Sequence, residues 1–371
     1  MRQVTQASLF GRVDTLSERL YQLHHDLLDH IPHIARIACA LYDPDTDLLK
    51  TFINCTTEGK AINAYEYRLA ASPTLSELAR NRTCRVIDQI SSEIAPGSAH
   101  SDWLLEQGYQ SSFTMPMFSG EQLLGFIFVD SKLTSCFNAK AQRDLALFCN
   151  LIVMAIDSEF RAIKSLLATA QAAREFAHLR DFETGSHLKR MARLSRLIAR
   201  AVAERHQLSD EVIEHIYLFA PLHDIGKIGI PDRILLKQGS LSDDERVIME
   251  QHVEKGVQIL HKVLGDYELE HLSDSKLMLN IVAYHHEFMD GSGYPNGLLG
   301  DEIPVEARII TAADIFDALT SARPYKAPWS PSDALEELER MARAGKLDPE
   351  CVDAIRSNFD EACRIITELS D

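Results

Sequence analysis

Residues His285–Gly297 read HHEFMDGSGYPNG, and this stretch places two adjacent histidines directly before a loop rich in glycine and proline. Glycine permits, and proline fixes, backbone angles that other residues rarely adopt, so the loop is suited to holding one shape. Histidine is a common metal ligand. The stretch therefore predicts metal ligands beside a loop of fixed conformation.

Further candidate ligands are concentrated in the same half of the chain, where ten of the 15 histidines fall between His178 and His286. Glu183 and His187 are four residues apart, which places both side chains on one face if the segment is helical. Each residue alone has an ordinary structural explanation, but eight nitrogen and oxygen donors together predict a metal site. The candidates are Glu183, His187, His223, Asp224, His252, His285, His286 and Asp314.

The chemistry of these ligands limits the metal and the kind of site. Imidazole and carboxylate without thiolate suit iron, manganese, zinc or nickel. Eight such ligands could close two tetrahedral zinc sites, which would be structural. They could also leave open positions around two or three octahedral ions, which would suit catalysis on a phosphoester. Nearby cations favour the catalytic site, since Lys227 follows His223 by one helical turn and Arg323 and Lys326 follow Asp314.

Length, charge and cysteine content exclude several classes of protein. The chain of 371 residues is long enough for two or three domains. A net charge of −17 argues against a binder of nucleic-acid polymers but allows a small phosphate ligand at a locally cationic site. Seven cysteines without a CxxC pair predict no disulfide framework and a cytoplasmic protein. The longest apolar run, Leu145–Ile156, is too short to span a membrane.

The pattern of apolar residues predicts four segments. Residues 1–30 form a helix, and residues 31–137 form an α+β domain with a hairpin turn at Ser119–Glu121. Residues 138–178 contain no glycine or proline and form one long linker helix. Residues 179–371 are almost entirely helical. In the linker helix the apolar positions of a parallel coiled-coil dimer recur every seven residues, with two more between them: Ile156, Ile163, Leu166, Ala170, Ala173 and Ala177.

The α+β region resembles a GAF domain, a small sensor fold. The resemblance depends mainly on residues 108–131, GYQSSFTMPMFSGEQLLGFIFVDS, followed by a helix. It implies ligand sensing or dimerisation, but the sequence names no ligand.

The helical region is similar to the HD-GYP domain, a branch of the HD phosphohydrolase superfamily. The resemblance is carried by HDIGKIGIPD (223–232), HHEFMDGSGYPNGLLGDEIPVEARI (285–309) and ADIFDALTSARPYK (313–326). It implies an all-helical domain that hydrolyses cyclic di-GMP to pGpG and often to GMP. The eight candidate ligands match the family's metal ligands, and Asp224 is expected to bridge two ions.

The same resemblance implies roles for residues around the metals. Lys227 matches the lysine near the scissile phosphate, and Arg323 and Lys326 match phosphate-contacting cations. Gly293, Tyr294 and Pro295 match the signature turn, where a guanine base or sugar-phosphate could dock. Because Glu183 is present, we expect a trinuclear site, with iron as the metal and manganese as the alternative. The acidic run 265–276, GDYELEHLSDSK, is expected to form a loop or lid.

Two alternatives remain at this point. The domain could bind cyclic di-GMP or a partner protein without turnover, or it could hydrolyse another cyclic dinucleotide such as cyclic GMP-AMP. We expect the substrate to be cyclic di-GMP, and we expect homodimerisation through the linker helix and control by the N-terminal domain.

Overall fold

The computed structural model of the chain describes five stretches: residues 15–97, 99–177, 185–266, 275–321 and 328–370, with side chains in all of these except 170–177. The chain divides into two units, one of residues 1–161 with 209–211 and one of residues 162–208 with 212–371. The predicted domain boundaries stay predictions.

The N-terminal unit is built on one antiparallel sheet of six strands in the order β3-β2-β1-β6-β5-β4. The hairpin predicted around Ser119–Glu121 is the connection between β5 and β6. At Gly125 of β6 a side chain would lie 1.9 Å from the carbonyl oxygen of Ala40 on β1, so this close approach requires glycine. The strands are β1 Ile34–Asp43, β2 Leu48–Thr56, β3 Glu66–Arg68, β4 Arg85–Ile87, β5 Ser111–Ser119 and β6 Gln122–Ser131.

Helices complete the N-terminal unit and confirm the predicted α+β class. A capping box between Thr15 and Glu18 starts the first helix. Leu20 of this helix and Ile152 of α5 belong to one core cluster, which the sheet shares through residues such as Phe52. The helices of this unit are α1 Leu16–Leu28, α2 Pro73–Asn81, α3 Ile90–Glu93, α4 Ala99–Glu106 and α5 Ala139–Ala177, of which α5 continues into the second unit.

One helix, α5, covers most of the segment predicted as the linker. The predicted dimer seam is wrong at the positions that the structure describes. Ile156 is buried in the core of the N-terminal unit, and Ile163 and Leu166 are buried in the core of the C-terminal unit. These side chains pack within the chain and are not available to a second helix. The side chains of Ala170, Ala173 and Ala177 lie outside the described residues.

The described part of the C-terminal unit contains helices and no strands, as predicted. Its core combines Leu194 and Ile198 of α6 with Ile281 of α11 and Phe316 of α12. A capping box between Ser242 and Glu245 begins α9. The helices are α6 Gly185–His206, α7 Asp210–Phe219, α8 Asp232–Leu235, α9 Asp243–Glu250, α10 His252–Asp266, α11 Ser275–Tyr284, α12 Val305–Thr320, α13 Pro331–Arg343, α14 Pro349–Ser357 and α15 Phe359–Glu368.

Of the helices that the structure describes, none combines the length and the apolar character needed to cross a bilayer.

Candidate metal centre

Five separate elements of the C-terminal unit bring the predicted ligands together. His187 lies in the first turn of α6, and His252 is the first residue of α10. Asp314 lies in the middle of α12 and therefore does not cap that helix. The other four predicted ligands that the structure describes lie in connections: His223 and Asp224 between the 3₁₀ helices Ala220–Leu222 and Ile225–Gly229, and His285 and His286 directly after α11.

Asp224 is at the centre of the larger group of ligands. Its Oδ1 lies 3.1 Å from Nε2 of His252 and 3.7 Å from Nε2 of His285. The His285 and His286 ring centroids are 4.1 Å apart. One donor atom from each of Asp224, His252, His285 and His286 lies within 4.8 Å of all the others. Four donors this close could hold one ion.

A second, smaller group consists of His187, His223 and Asp314, whose donor atoms also lie within 4.8 Å of one another. His223 connects the two groups, because its Nε2 lies 3.1 Å from Oδ2 of Asp224 and 4.0 Å from Oδ1 of Asp314. The structure thus brings together seven of the eight predicted ligands. The eighth, Glu183, lies outside the described residues.

Hydrogen bonds to the other ring nitrogen fix the orientation of these histidines. Nδ1 of His223 lies 2.8 Å from the carbonyl oxygen of Ala220. Nδ1 of His252 lies 2.8 Å from the carbonyl oxygen of Met249. Nδ1 of His285 lies 3.1 Å from the carbonyl oxygen of Val282. A carbonyl oxygen only accepts, so Nδ1 carries the proton in each ring and a neutral ring then has its lone pair at Nε2.

The lone pairs of these rings point toward one another and toward a carboxylate. Nε2 of His252 and Nε2 of His285 are 3.5 Å apart, and both lie close to Asp224. Oδ1 of Asp224 is buried without a hydrogen-bond partner among the described residues. Lone pairs and a carboxylate that face each other in a buried site repel unless a cation lies between them. The donor set therefore fits a divalent metal cation.

The protonation states agree with ligation. Burial alone would raise the pKa of Asp224, but the positive charge of Lys227, 2.7 Å away, holds it well below its usual range, so the carboxylate is ionised. Burial lowers the pKa of His285, and burial together with His285 lowers the pKa of His286 well below its usual value. Both rings are consequently neutral near pH 7, as metal ligands must be.

Lys227 lies at the site as predicted, but the backbone conformation that places it there differs from the predicted one. The segment after His223 is a 3₁₀ helix rather than an α-helix, and Nζ of Lys227 lies 2.7 Å from Oδ2 of Asp224. The neighbouring Gly226 packs against α10 so closely that a side chain would lie 1.8 Å from the carbonyl oxygen of His252. This close packing holds Asp224 and Lys227 beside His252.

The glycine-proline loop places an aromatic ring on the histidines. The Tyr294 ring centroid lies 4.7 Å from that of His286, and the tyrosine is half-buried. A side chain at Gly293 would lie 2.3 Å from the backbone nitrogen of Phe288 and 2.5 Å from the carbonyl oxygen of His286, so only glycine fits there. Burial and the negative charge of Asp224 raise the pKa of Tyr294, which therefore stays a neutral hydrogen-bond donor.

Two buried carboxylates that sequence reasoning missed support these elements. Glu287 is 2% exposed and accepts hydrogen bonds from the backbone N–H of Asn296 (2.7 Å) and of Leu298 (3.0 Å). Asp317 accepts from Nδ1 of His187 (2.7 Å) and Nε of Arg190 (2.5 Å). Glu287 holds the loop and Asp317 orients His187. The spacing of Asp317 from Asp314, three residues on one helix, was the only signal in the sequence.

Three further predictions lie wholly or largely outside the described residues. Arg323 and Lys326, the predicted phosphate-contacting cations, are in the range 322–327. Most of the acidic run 265–276 is in the range 267–274. Their predicted roles stay predictions.

Replacing Glu287 tests its role as the anchor of the loop. We expect Glu287→Ala to raise the hydrogen-exchange rates of the Asn296 and Leu298 amides by about tenfold or more, because each loses a charge-assisted bond. Hydrogen exchange followed by mass spectrometry measures this. Glu254→Ala, which removes an exposed carboxylate on α10, is the matched control. Unchanged exchange of both amides would contradict the anchoring role.

Comparison with known families and relatives agrees with this geometry. Residues 182–351 match the family described as HD domain. The chain is 42% identical over 226 residues to the cyclic di-GMP phosphodiesterase response regulator RpfG of Xanthomonas campestris, covering 60% of this chain and 55% of that protein. It is 45% identical over 179 residues to a cyclic di-GMP phosphodiesterase of Thermotoga maritima, covering 47% of this chain and 44% of that protein.

A relative with a different named substrate is similarly close. The 3'3'-cGAMP-specific phosphodiesterase 2 of Vibrio cholerae is 41% identical over 196 residues, covering 52% of this chain and 34% of that protein. The chain thus spans about half or less of the length of these relatives.

Solved structures give weaker likenesses. A phycocyanobilin-bound GAF domain from a cyanobacterial phytochrome aligns with 38% of this chain and 85% of its own, at 13% identity and a TM-score of 0.32. Bd1817 of Bdellovibrio bacteriovorus, an HDG"Y"P protein, aligns with 75% of this chain and all of its own, at 12% identity and a TM-score of 0.38. The family match and the relatives support the resemblance for the C-terminal unit: residues 182–351 of this chain match the HD domain family.

Proposed function

We propose that the C-terminal unit is a metal-dependent phosphodiesterase that hydrolyses cyclic di-GMP to pGpG, with GMP as a further product. The observation that carries the proposal is the buried Asp224 carboxylate faced by Nε2 atoms whose rings are held in place through Nδ1. Relatives that share the HD domain are named as phosphodiesterases of this dinucleotide, which supports the substrate.

The proposed metal ligands are the two groups described above, with Glu183 as an eighth ligand. Bound cations supply Lewis acidity and an activated water for attack on phosphorus. Asp224 is suited to bridging, because its Oδ1 faces His252 and His285 while its Oδ2 faces His223. The HD-GYP resemblance indicates iron, with manganese as the alternative, and these donors suit both.

Lys227 and the loop supply the remaining chemistry. The ammonium group of Lys227 is half-buried next to Asp224, where it can offset negative charge that develops on the phosphate oxygens. Tyr294 offers a neutral hydroxyl and an aromatic face for a base or sugar. With Gly293 and Pro295 it forms the proposed docking edge for substrate, and Arg323 and Lys326 are proposed phosphate contacts.

Replacing Asp224 tests whether metal and activity depend on the same residue. We expect Asp224→Ala to lose bound metal and to lower turnover of cyclic di-GMP more than about a thousandfold, since the metal supplies several kcal/mol of transition-state stabilisation. Elemental analysis of anaerobically purified protein and chromatography of pGpG measure the two quantities. Asp353→Ala, an exposed aspartate on α14, should change neither. Normal turnover by Asp224→Ala would rule the proposal out.

Replacing Glu183 tests the trinuclear site separately from the activity. We expect the metal content to fall from about three ions per chain to about two in Glu183→Gln, because one carboxylate ligand is lost. Elemental analysis normalised to protein concentration measures this. Glu204→Gln, an exposed glutamate on α6, is the control. Two ions per chain in the unaltered protein would contradict the trinuclear site and leave the phosphodiesterase proposal intact.

Two other functions are distinguished by the same assay. Relatives named as 3'3'-cGAMP-specific phosphodiesterases favour cyclic GMP-AMP as a second candidate substrate. A binding module without turnover is disfavoured, because all seven described candidate ligands are present and their donor atoms lie in two close groups. Comparing product formation from the two dinucleotides under one set of conditions separates the three functions.

We further propose that the N-terminal unit controls this activity and that the chain forms a homodimer through α5. The seam proposed now is the exposed face of α5 rather than the buried positions predicted from the sequence. Leu147, Leu151 and Met154 are 69%, 49% and 67% exposed and recur at intervals of four and three residues. This spacing is the one by which two helices pack along a shared apolar seam.

A charge placed in this seam tests the homodimer. We expect Leu151→Glu to raise the dimer dissociation constant by at least about a hundredfold, because two-fold symmetry buries two unpaired carboxylates at once. Sedimentation velocity over a range of concentrations measures this. Leu133→Glu, a comparably exposed leucine outside α5, is the control. A monomeric unaltered chain, or equal constants for the two variants, would contradict the proposal.

A further inference from the structure

The N-terminal unit contains a cavity of about 330 Å³. Residues of β1, β2, β3, β4 and β6 line it together with residues of α2, α3 and α4. Pockets that take small molecules begin at about 300 Å³, so this cavity is of a size for one small ligand. It belongs to the N-terminal unit alone and is separate from the metal centre of the C-terminal unit.

Two guanidinium groups line the cavity, and they differ in how they are neutralised. Arg36 forms a buried ion pair with Asp130, with 2.6 Å between Nη1 and Oδ2. Arg85 has no ion pair within 4 Å among the described residues and donates one long side-chain hydrogen bond, 3.3 Å from Nη2 to Oγ1 of Thr114. The cavity therefore carries one positive charge that has no carboxylate within 4 Å among the described residues.

The guanidinium of Arg85 also has unused hydrogen-bonding capacity. Its Nε is buried without a hydrogen-bond partner among the described residues, and the same is true of Nε of Arg36. Burial lowers the pKa of Arg85, and the negative charges of Asp130 and Glu93 oppose that shift without cancelling it. Glu93, the acidic residue that lines the cavity, is exposed and accepts the backbone N–H of Asp88 and Gln89. A half-buried guanidinium group without an ion pair among the described residues fits an anionic ligand.

Another part of the cavity lining is aromatic and uncharged. Tyr65 stacks on His100 at a centroid distance of 6.1 Å, and the rings of Tyr65 and Tyr67 stack at 6.4 Å. Phe128 also lines the cavity, with its ring tilted against His100 at 5.9 Å. Burial, with the nearby charge of Arg36, lowers the pKa of His100 to about 4, so this ring is uncharged near neutral pH. The wall is thus a neutral surface for a flat ring.

We propose that this cavity binds a small molecule with a flat aromatic ring and one carboxylate group. Arg85 binds the carboxylate through its guanidinium group, and the ring packs along Tyr65 and His100. The ligand carries one negative charge because Asp130 already neutralises Arg36. A ligand with several charges would leave the excess buried in a region of low dielectric constant.

Calorimetric titration of the full chain with matched probes tests the class of ligand. We expect indole-3-acetate to bind at least about tenfold more tightly than indole-3-acetamide, which has the same shape without the charge. We expect cyclohexylacetate, which keeps the charge but lacks the flat ring, to bind more weakly than indole-3-acetate. Equal affinities for the acid and the amide, or no binding of indole-3-acetate at millimolar concentration, would overturn the proposal.

Variants of the chain test the role of Arg85. Arg85→Gln should lower the affinity for indole-3-acetate by about ten- to a hundredfold and leave that for the amide unchanged. Arg80→Gln, an exposed arginine on α2, should bind the acid as the unaltered chain does. Equal affinity of these two variants for the acid would also overturn the proposal. The comparison of acid and amide uses the unaltered chain, so it decides the matter even if Arg85→Gln fails to fold.

Discussion

The C-terminal unit depends on one constraint: imidazole lone pairs and an ionised carboxylate share a space from which water is largely excluded. His223 and His285 are buried, and Asp224 is 4% exposed. Such an assembly is unfavourable by itself, because each donor loses hydration and faces other electron pairs. The surrounding structure offsets this cost with backbone carbonyls, close helix packing at Gly226 and the positive charge of Lys227. A bound cation would relieve the remaining repulsion.

The N-terminal unit also holds buried charged groups close together, in a single ion pair. Arg36 and Asp130 face each other across paired strands, where both side chains are almost fully buried. Breaking such a pair from one side leaves an uncompensated charge, which is strongly destabilising. Arg85 occupies the same cavity without an adjacent carboxylate. The two arginines therefore have different roles, Arg36 in the fold and Arg85 in recognition.

Much of this organisation could be predicted from the sequence, for identifiable physical reasons. The ligand motifs are long and ordered, so the convergence of His187, His223 and Asp314 was predicted before any coordinates. Which face of α5 packs within the chain could not be predicted, because apolar periodicity identifies a buried face without identifying what buries it. Ile156 and Ile163 are covered by the chain itself. The hydrogen bonds that Glu287 accepts from the loop could not be predicted either, since they depend on two backbone amides that the loop brings near this carboxylate.

The hydrogen bonds at Nδ1 have an evolutionary consequence. His223, His252 and His285 are oriented by main-chain carbonyl oxygens, which no codon change can delete. His187 is oriented by the side chain of Asp317, which a single nucleotide change can replace. Natural variation can therefore reorient His187 while leaving every candidate ligand in place, whereas the orientations of His223, His252 and His285 are insulated from such drift. Divergence in metal preference among descendants of this sequence would accordingly begin at position 317.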